Sequence, residues 1–302
     1  MTTHAFRQPL TSNGHTLSTA PNRLGWLEPT SPELSIERLR EQFRAQGYLW
    51  LKGFLDSEVV LDLRRHFFEP LRNSGFLAQG SDPVEGIFSG KPLAPDVAQR
   101  ISIEMAKSPE YLALCTSSRI WSFYEAFLGG AIYLHKRKLV RFTTPGDTFT
   151  TGGHYDLIYL RAGTDHICTS WIPLGDTPVK MGGLVYLEGS DALGRKMEAE
   201  FSRKNADLPP EERISAYNKN MASSGWISKD LPALADLIDG RWLAANYEAG
   251  DMVIHSPYII HAATENVDPL GRIRFSTDIR YQLANDAIDP RWANDYAADD
   301  RL

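Results

Sequence analysis

Apolar residues recur at helical spacing in the first third of the chain. In SIERLREQFRAQG the apolar positions fall three or four residues apart on one face, and the closing glycine is a common helix stop. DSEVVLDLRRHFFEPL and SPEYLALCTSSRIWSFYEAFLG repeat this amphipathic pattern behind Asp56 and Ser108, two favourable N-cap residues. The run YLWLKGF, between the first two helices, is typical of a short strand. Residues 34–130 are therefore expected to be mainly helical, after a polar, flexible arm of residues 1–33.

Beyond Gly130 the pattern changes to short runs that are rich in β-branched and aromatic residues and are separated by Gly, Pro and Asp. The runs predict strands in AIYLHKRKLVRFT (131–143), YDLIYLRA (155–162), HICTSWIPL (166–174), GLVYLEGS (183–190), DMVIHSP (251–257) and RIRFSTDIRYQ (272–282). Helices followed by many short strands favour a sandwich or barrel with helices packed on one side. The fold class is therefore predicted to be mainly β with α.

The same change of pattern sets the expected boundaries. We expect one domain over residues 1–302, with a β core of residues 131–190 and 246–284. The charged residues 191–245 interrupt the strand series and indicate a largely helical insertion or lid, because insertions at the mouth of a barrel often carry binding residues. Residues 285–302 are expected to form a C-terminal tail.

Composition narrows the class of protein. The chain has 302 residues, 42% of them apolar and 23% charged, which is an ordinary balance for a globular protein. A net charge of -6 weighs against a nucleic-acid partner, since phosphate binding needs a basic excess. Two cysteines without metal-type spacing argue against a disulfide framework. The sequence shows neither a signal peptide nor an apolar run of the roughly 20 residues that a membrane span needs, so a cytoplasmic protein is expected.

Candidate chemistry begins in TGGHYDLIYL, which contains His154 and Asp156. On a strand, residues two apart point the same way, so these side chains can share one metal ion while Tyr155 faces away. Two histidines and one carboxylate are the ligands of non-haem iron sites, which keep further positions open. The third ligand must come from a distant strand, and both His255 and His261 are candidates. Alone, however, a His-x-Asp pair is more often a surface or hydrogen-bonded pair.

Basic residues follow these histidines in the strand RIRFSTDIRYQ. Strand alternation places Arg272, Arg274 and Ser276 on one face. An arginine pointing into a small barrel is costly unless an anion pairs with it. An arginine with a neighbouring hydroxyl therefore predicts a receptor for a carboxylate. The competing interpretation is a solvent-exposed sheet face that carries charges.

Four segments together resemble the phytanoyl-CoA dioxygenase family of Fe(II)- and 2-oxoglutarate-dependent oxygenases. FRAQGYLWLKGFLDSEVVLDLRRHFFEPL is similar to the helix–strand–helix opening of the family, and GGHYD supplies its His-x-Asp element. TSWIPLGDTPVKMGGLVYLEGSDALG resembles its central strands. GDMVIHSPYIIHAATENVDPLGRIRFSTDIRY resembles its closing segment, with a His-Ser pair, the metal-binding histidine and an arginine strand. The similarity covers most of the chain.

The resemblance implies a double-stranded β-helix of the jelly-roll, cupin-like type, with supporting helices and a helical insertion. It implies that His154, Asp156 and His261 are the catalytic iron ligands and that His255 is not a ligand. A carboxylate in the ligand set disfavours halogenation, because related halogenases have a small residue at the position of Asp156. The implied cofactors are Fe(II), 2-oxoglutarate and O2.

The same resemblance implies how 2-oxoglutarate binds. Either Arg274 or Arg272 pairs with its far carboxylate, with Ser276 and Trp171 nearby. Counting from the distal histidine favours Arg272, whereas counting back from the end of the strand favours Arg274. We prefer Arg274, because Ser276 extends its pocket.

The expected reaction is hydroxylation of an unactivated C–H bond of a small natural-product or lipid-like molecule, with succinate and CO2 as coproducts. Desaturation, epoxidation, ring rearrangement and action on an acyl-CoA are alternatives with the same cofactors, and a non-catalytic metal-binding barrel is an alternative of another class. Tyr217, Trp226 and Trp242 are candidate walls of the substrate site, although packing within the insertion explains each equally well. A homodimer is compatible with these features.

Overall fold

The computed structural model describes residues 6–221 and 225–297. Its strands are β1 Thr11–Ser12, β2 His15–Thr16, β3 Leu24–Trp26, β4 Tyr48–Leu51, β5 Ile132–Leu134, β6 Leu139–Thr143, β7 Ile167–Pro173, β8 Leu184–Leu187, β9 Trp242–Ala244, β10 Met252–His255, β11 His261–Ala263 and β12 Arg274–Leu283. Its helices are α1 Ile36–Gln46, α2 Ser57–Phe68, α3 Pro95–Lys107, α4 Pro109–Cys115, α5 Ser118–Leu128, α6 Leu157–Leu160, α7 Ser190–Lys204, α8 Pro210–Ile214 and α9 Leu231–Asp236.

Two sheets face each other across an apolar interior. The larger sheet has the order β4-β10-β7-β12-β5, with β6 also paired to β12, and the smaller has the order β11-β8-β9-β3. Large side chains from both sheets fill the space between them, including Trp50 and Trp171 from the larger and Tyr186 from the smaller. The prediction of a mainly β fold with helices is confirmed. Hydrogen bonds do not join the two sheets into a closed barrel within the described ranges.

Helices cover the outer face of the larger sheet because alternate residues of its strands are apolar. On β12, Phe275 stacks on Phe67 of α2 with ring centroids 4.2 Å apart. Tyr281 stacks on Tyr124 of α5 at 4.3 Å. The alternate residues of the strand, among them Arg274, Ser276 and Arg280, face the interior instead. Strand β12 therefore packs on the supporting helices with one face and carries a row of polar side chains on the other.

Several expected boundaries are wrong. The run expected to be a strand over 155–162 contains the helix α6, and 131–143 divides into β5 and β6 with residues 135–138 between them. Short apolar runs carry no periodicity that separates strand from helix, which explains the first error. The second error, the expectation of one strand over 131–143, is explained by a bend at Lys136 within HKRK. No helix in the described ranges is both long enough and apolar enough to cross a membrane.

The expected flexible arm is packed from residue 6 onward, whereas residues 1–5 lie outside the described residues. Strand β3 pairs in parallel with β9, and Leu17 and Leu24 are buried. The insertion contributes α7, α8 and α9, but β9 at its end belongs to the smaller sheet, so the β core resumes at Trp242. The tail is also packed, since Trp292 is buried. Pairing between segments distant in sequence leaves no local signal, which is why the polar composition of 1–33 misled the prediction.

Helix α7 packs closely on the loop that precedes β11. A Cβ atom on Gly194 would lie 1.9 Å from the carbonyl oxygen of Tyr258, a distance that no packing tolerates. We therefore expect Gly194→Ala to lower the free energy of unfolding by about 1–3 kcal/mol through overpacking. Helix propensity alone predicts the opposite sign, a gain of about 1 kcal/mol. Urea unfolding of this variant measures the change in the free energy of unfolding.

The control is Lys196→Ala, at an exposed position of the same helix, which should change stability by less than about 0.5 kcal/mol. A Gly194→Ala variant that is more stable than the original protein would contradict the close packing.

Candidate metal centre

His154, Asp156 and His261 converge in the interior near one edge of the smaller sheet. His154 and His261 exchange main-chain hydrogen bonds of 3.1 and 2.9 Å as an antiparallel bridge, and their rings lie 4.3 Å apart. The chain then turns into α6 at Asp156, whose main chain is helical, so the two side chains converge without the strand alternation that was expected for them. Asp156 Oδ1 is 3.8 Å from His154 Nε2 and 3.7 Å from His261 Nε2. All three side chains are buried, and one ligand atom from each lies within 4.8 Å of the others.

Main-chain carbonyls fix the orientation of both imidazoles. His154 Nδ1 lies 2.9 Å from the carbonyl oxygen of Gly152, and His261 Nδ1 lies 3.1 Å from that of Ile259. A carbonyl only accepts, so each Nδ1 carries the proton and donates it. Each Nε2 therefore presents its lone pair toward Asp156 Oδ1, which is the arrangement that metal-ligating histidines adopt.

The other carboxylate oxygen, Asp156 Oδ2, is held by a row of side chains across three neighbouring strands. Thr169 of β7 donates a short hydrogen bond to it, Arg280 Nη2 of β12 lies at 3.1 Å and His255 Nε2 of β10 at 3.4 Å. Thr169 is the direct cross-strand partner of both Arg280 and His255. The sheet register thus fixes Oδ2, and Oδ1 remains directed at the two imidazoles.

These surroundings set the charge of the candidate ligands. Burial lowers the pKa of His154 and, more strongly, that of His261. Burial alone would raise the pKa of Asp156, but the charge of Arg280 and the nearby His255 outweigh it and hold that pKa well below its usual value. Neutral imidazoles beside a carboxylate form a donor set suited to a divalent transition metal.

His255 lies beside this cluster without completing it. It is fully buried, and its Nδ1 is 3.1 Å from the hydroxyl of Tyr186. Its Nε2 points at the Oδ2 atom of Asp156 rather than at Oδ1. Of the two histidines that sequence alone left open, His261 is the one whose Nε2 joins the ligand atoms.

The structure separates the two candidate arginines. Arg272 precedes β12 and makes two hydrogen bonds of 2.9 Å to the carboxylate of Asp268. Arg274 is buried on the interior face of β12, lines a cavity together with Thr143 and Thr151, and donates to Thr143 Oγ1 at 2.8 Å. Thr151 also lines the neighbouring cavity above His154 and Asp156, so the two cavities adjoin.

The remaining predicted residues divide between the cavities and the packed core. Ser276 is buried on the interior face of β12, and its Oγ has no hydrogen-bond partner in the described part of the chain. Tyr217 and Trp226 line the cavity above His154. Trp171 and Trp242 line neither cavity, contrary to expectation. Trp171 packs against the ring of Tyr247 at 4.7 Å. Trp242 donates to a main-chain carbonyl and is buried in a separate apolar cluster, here named the outer cluster, which includes Tyr155, Leu187 and Leu231.

Sequence reasoning missed Thr169 and Arg280. A signal for Arg280 was present, because strand alternation places it on the same face as Arg274 and Ser276. No local pattern marks Thr169, whose position depends on the pairing of β7 with β10 and β12. Tyr155 was expected to pack away from the metal; it is buried, and its hydroxyl donates to Glu198 at 2.8 Å.

The protonation states of the cluster predict how a metal ion binds. Because the pKa values of His154, Asp156 and His261 all lie below their ordinary values, few protons need to leave these ligands at pH 7. We expect Mn(II) binding at pH 7 to release less than about half a proton. Titration calorimetry in PIPES, MOPS and Tris measures this as an enthalpy that is nearly independent of the buffer. Release of one proton or more would contradict the assigned states, and Asp156→Ala should abolish the binding heat.

Comparison with known proteins agrees with this geometry. A profile of the family named Phytanoyl-CoA dioxygenase (PhyH) matches residues 43–273. The 1-deoxypentalenic acid 11-beta-hydroxylase of Streptomyces exfoliatus is 26% identical over 258 residues, which are 82% of this chain and 82% of that protein.

Solved structures share the fold. The epimerase SnoN in complex with Fe3+, alpha ketoglutarate and nogalamycin RO has a TM-score of 0.56 at 19% identity, over 84% of this chain and 86% of that one. The carbocyclase SnoK from nogalamycin biosynthesis has a TM-score of 0.55 at 21% identity, over 87% of this chain and 90% of that one. They confirm the predicted jelly-roll class. The chain belongs to the phytanoyl-CoA dioxygenase family and is a non-haem iron, 2-oxoglutarate-dependent dioxygenase.

Proposed function

We propose that this dioxygenase hydroxylates an unactivated C–H bond of a small organic molecule, with His154, Asp156 and His261 as the iron ligands. The observation that carries the proposal is the convergence of two Nε2 atoms and one carboxylate oxygen, all buried, beside a cavity. Three protein ligands leave Fe(II) with open positions. When bound, iron together with 2-oxoglutarate and O2 supplies the oxidising power for C–H cleavage, with succinate and CO2 as coproducts.

The donor set fits iron in its charge and in its rigidity. Two neutral imidazoles and one carboxylate suit a redox-active divalent ion. Each ligand is held by a second group, the imidazoles by main-chain carbonyls and Asp156 by Thr169 and Arg280. Such supporting contacts tune metal affinity and keep the ligands in place without the ion.

The unpaired polar atoms near Arg274 fit the far carboxylate of 2-oxoglutarate. Burial lowers the pKa of Arg274 to about 10, and its Nε has no partner in the described part of the chain, as is also true of Ser276 Oγ. Arg64 is a useful contrast, because it is similarly buried but donates to four main-chain carbonyls. A buried cation with unused donors costs free energy unless an anion binds it. Arg274, Ser276 and Thr143 are therefore the proposed anion receptor.

The residues of this chain then have distinct roles. Arg274 anchors the cosubstrate at one end, and the adjoining cavity above His154 receives the molecule to be oxidised. Arg280 and Thr169 hold Asp156 so that one oxygen faces the metal. The cavity walls exclude bulk water from the reacting C–H bond, which prevents side reactions.

Two observations favour hydroxylation of a free small molecule over action on an acyl-CoA. The relative from Streptomyces exfoliatus is named as a hydroxylase of a small acid. The basic run HKRK, which was considered for a CoA phosphate, has His135, Arg137 and Lys138 buried, so only Lys136 is exposed to bind phosphate from solution.

Succinate formation from 2-oxoglutarate tests the proposed activity. We expect the protein with Fe(II) and ascorbate to form succinate, even slowly without its substrate, and His154→Ala to reduce the rate to background. The control is His166→Ala, whose side chain is 76% exposed and which should retain the rate. Full activity of His154→Ala would refute the iron assignment.

The two arginines predict different responses to 2-oxoglutarate. Arg274→Ala removes a buried charge partner, a change worth about 2–5 kcal/mol, so we expect the concentration of 2-oxoglutarate needed for half-maximal succinate formation to rise by about 30-fold or more. Arg272→Ala loses a partly exposed pair with Asp268 and should change it by less than about threefold. The reverse order would show that Arg272 is the receptor.

A further inference from the structure

The cavity above His154 and Asp156 has an unusual charge for this protein. The whole chain carries a net charge of -6, yet the cavity is lined by four cationic side chains and, within the described residues, by one carboxylate, that of Asp156. The cationic side chains are Arg137, Arg141, Lys229 and Arg280. Cofactor binding does not remove this excess, since the two charges of Fe(II) and those of 2-oxoglutarate cancel. A cleft lined by one sign of charge attracts ligands of the opposite sign.

Two of the cationic side chains, those of Arg280 and Arg137, are buried in the cavity wall and contact its aromatic residues. Arg280 pairs with Asp156 and lies over the ring of Trp292 at 4.3 Å. Arg137 lies over Trp292 at 5.3 Å and over Tyr296 at 4.4 Å. Both arginines are buried. They make the inner wall positive and aromatic, and their charges are not exposed at the rim. Arg280 Nε and Nη1 have no hydrogen-bond partner among the described residues, but the guanidinium already pairs with Asp156 through Nη2.

The other two cations stand at the rim with unused donors. Arg141 pairs with Asp278 through Nε, and its two terminal nitrogens make no hydrogen bond in the described part of the chain. Lys229 has no acidic partner among the described residues. Its ammonium lies 5.3 Å above the ring of Phe149 and 5.4 Å above that of Trp226. A guanidinium fork and an ammonium at one opening form a receptor for a carboxylate.

The body of the ligand is constrained by the aromatic walls. The ring centroids of Phe149 and Trp226 lie 5.5 Å apart under Lys229, and Trp292 also lines the cavity. The cavity volume of about 470 Å³ falls in the range for drug-sized ligands. Aromatic walls with two cations that keep unused donors at the rim favour an amphipathic ligand.

We propose that the molecule oxidised is a monocarboxylate with an apolar or aromatic body, and that Lys229 and Arg141 bind its carboxylate at the rim. The body then extends between Phe149 and Trp226 toward the metal ligands. This inference rests on the proposed function, because it assigns the substrate class of the same site. Lys229 and Arg141 are specificity residues here and take no part in the oxidation.

A matched pair of ligands tests the charge requirement directly. The probes are 2-naphthylacetate and its neutral isostere 2-naphthylacetamide, titrated calorimetrically into the full chain loaded with Mn(II) and 2-oxoglutarate. We expect the acid to bind about tenfold more tightly than the amide, because the carboxylate can pair with a guanidinium and an ammonium at once. Lys229→Met should remove most of this preference, and Lys229→Arg should keep it. Lys196→Met, on an exposed lysine outside the cavity, should leave it unchanged.

Three outcomes would overturn the inference: equal affinity for acid and amide, an acid preference that survives Lys229→Met, or no binding of either probe at millimolar concentration. Succinate formation without substrate is measured on the same preparations and reports the proposed function separately. Succinate without an acid preference refutes only the substrate class. An acid preference without succinate supports the carboxylate site and refutes the proposed activity.

Discussion

The structure of the site depends on how one buried carboxylate oxygen is held. Asp156 Oδ2 meets His255, Thr169 and Arg280, which form a single row across β10, β7 and β12. A buried carboxylate is tolerated only when its oxygens are paired. The row satisfies that demand with one oxygen and leaves the other to a metal. A shift of one residue in the pairing of β10 or β12 with β7 would turn its donor to the outer face. The position of the Asp156 carboxylate therefore depends on the register of the sheet.

Strand β12 shows how the fold supports two kinds of surface at once. Its outer residues stack on the rings of α2 and α5, while Arg274, Ser276 and Arg280 face inward. The apolar half anchors the strand in the core, so that the polar half can keep donors unpaired. Such unpaired donors cost stability, and proteins retain them where a ligand satisfies them. The same alternation thus accounts for both the packing of the supporting helices and the proposed cosubstrate receptor.

Much of the fold and the central triad could be predicted from sequence, because alternation in strands and the spacing of motifs are local signals. The mainly β class and the interior position of Arg274 followed from such signals, whereas His261 was chosen over His255 by the resemblance to the family. The failures have a common physical cause, since they depend on contacts between distant segments. The residues after Asp156 form α6 where a strand was expected, although Leu157 N–H still finds an acceptor in the distant carbonyl of Pro257. Likewise, local composition could not show that Trp242 is enclosed by the outer cluster rather than facing the cavity.

Helix α7 connects the insertion to the chain segments that carry the candidate ligands. Its Glu198 accepts a hydrogen bond from Tyr155, the residue between two candidate ligands, and also pairs with Arg161, while Gly194 lies against the loop that leads to His261. The helix therefore contacts both segments that carry candidate ligands, the one around Tyr155 and the loop before His261. Docking of the insertion and positioning of the candidate ligands are consequently expected to be coupled. Changes in α7 that remove these contacts would then weaken metal binding from outside the cavity, whereas changes confined to the cavity-facing part of the insertion would alter the substrate site alone.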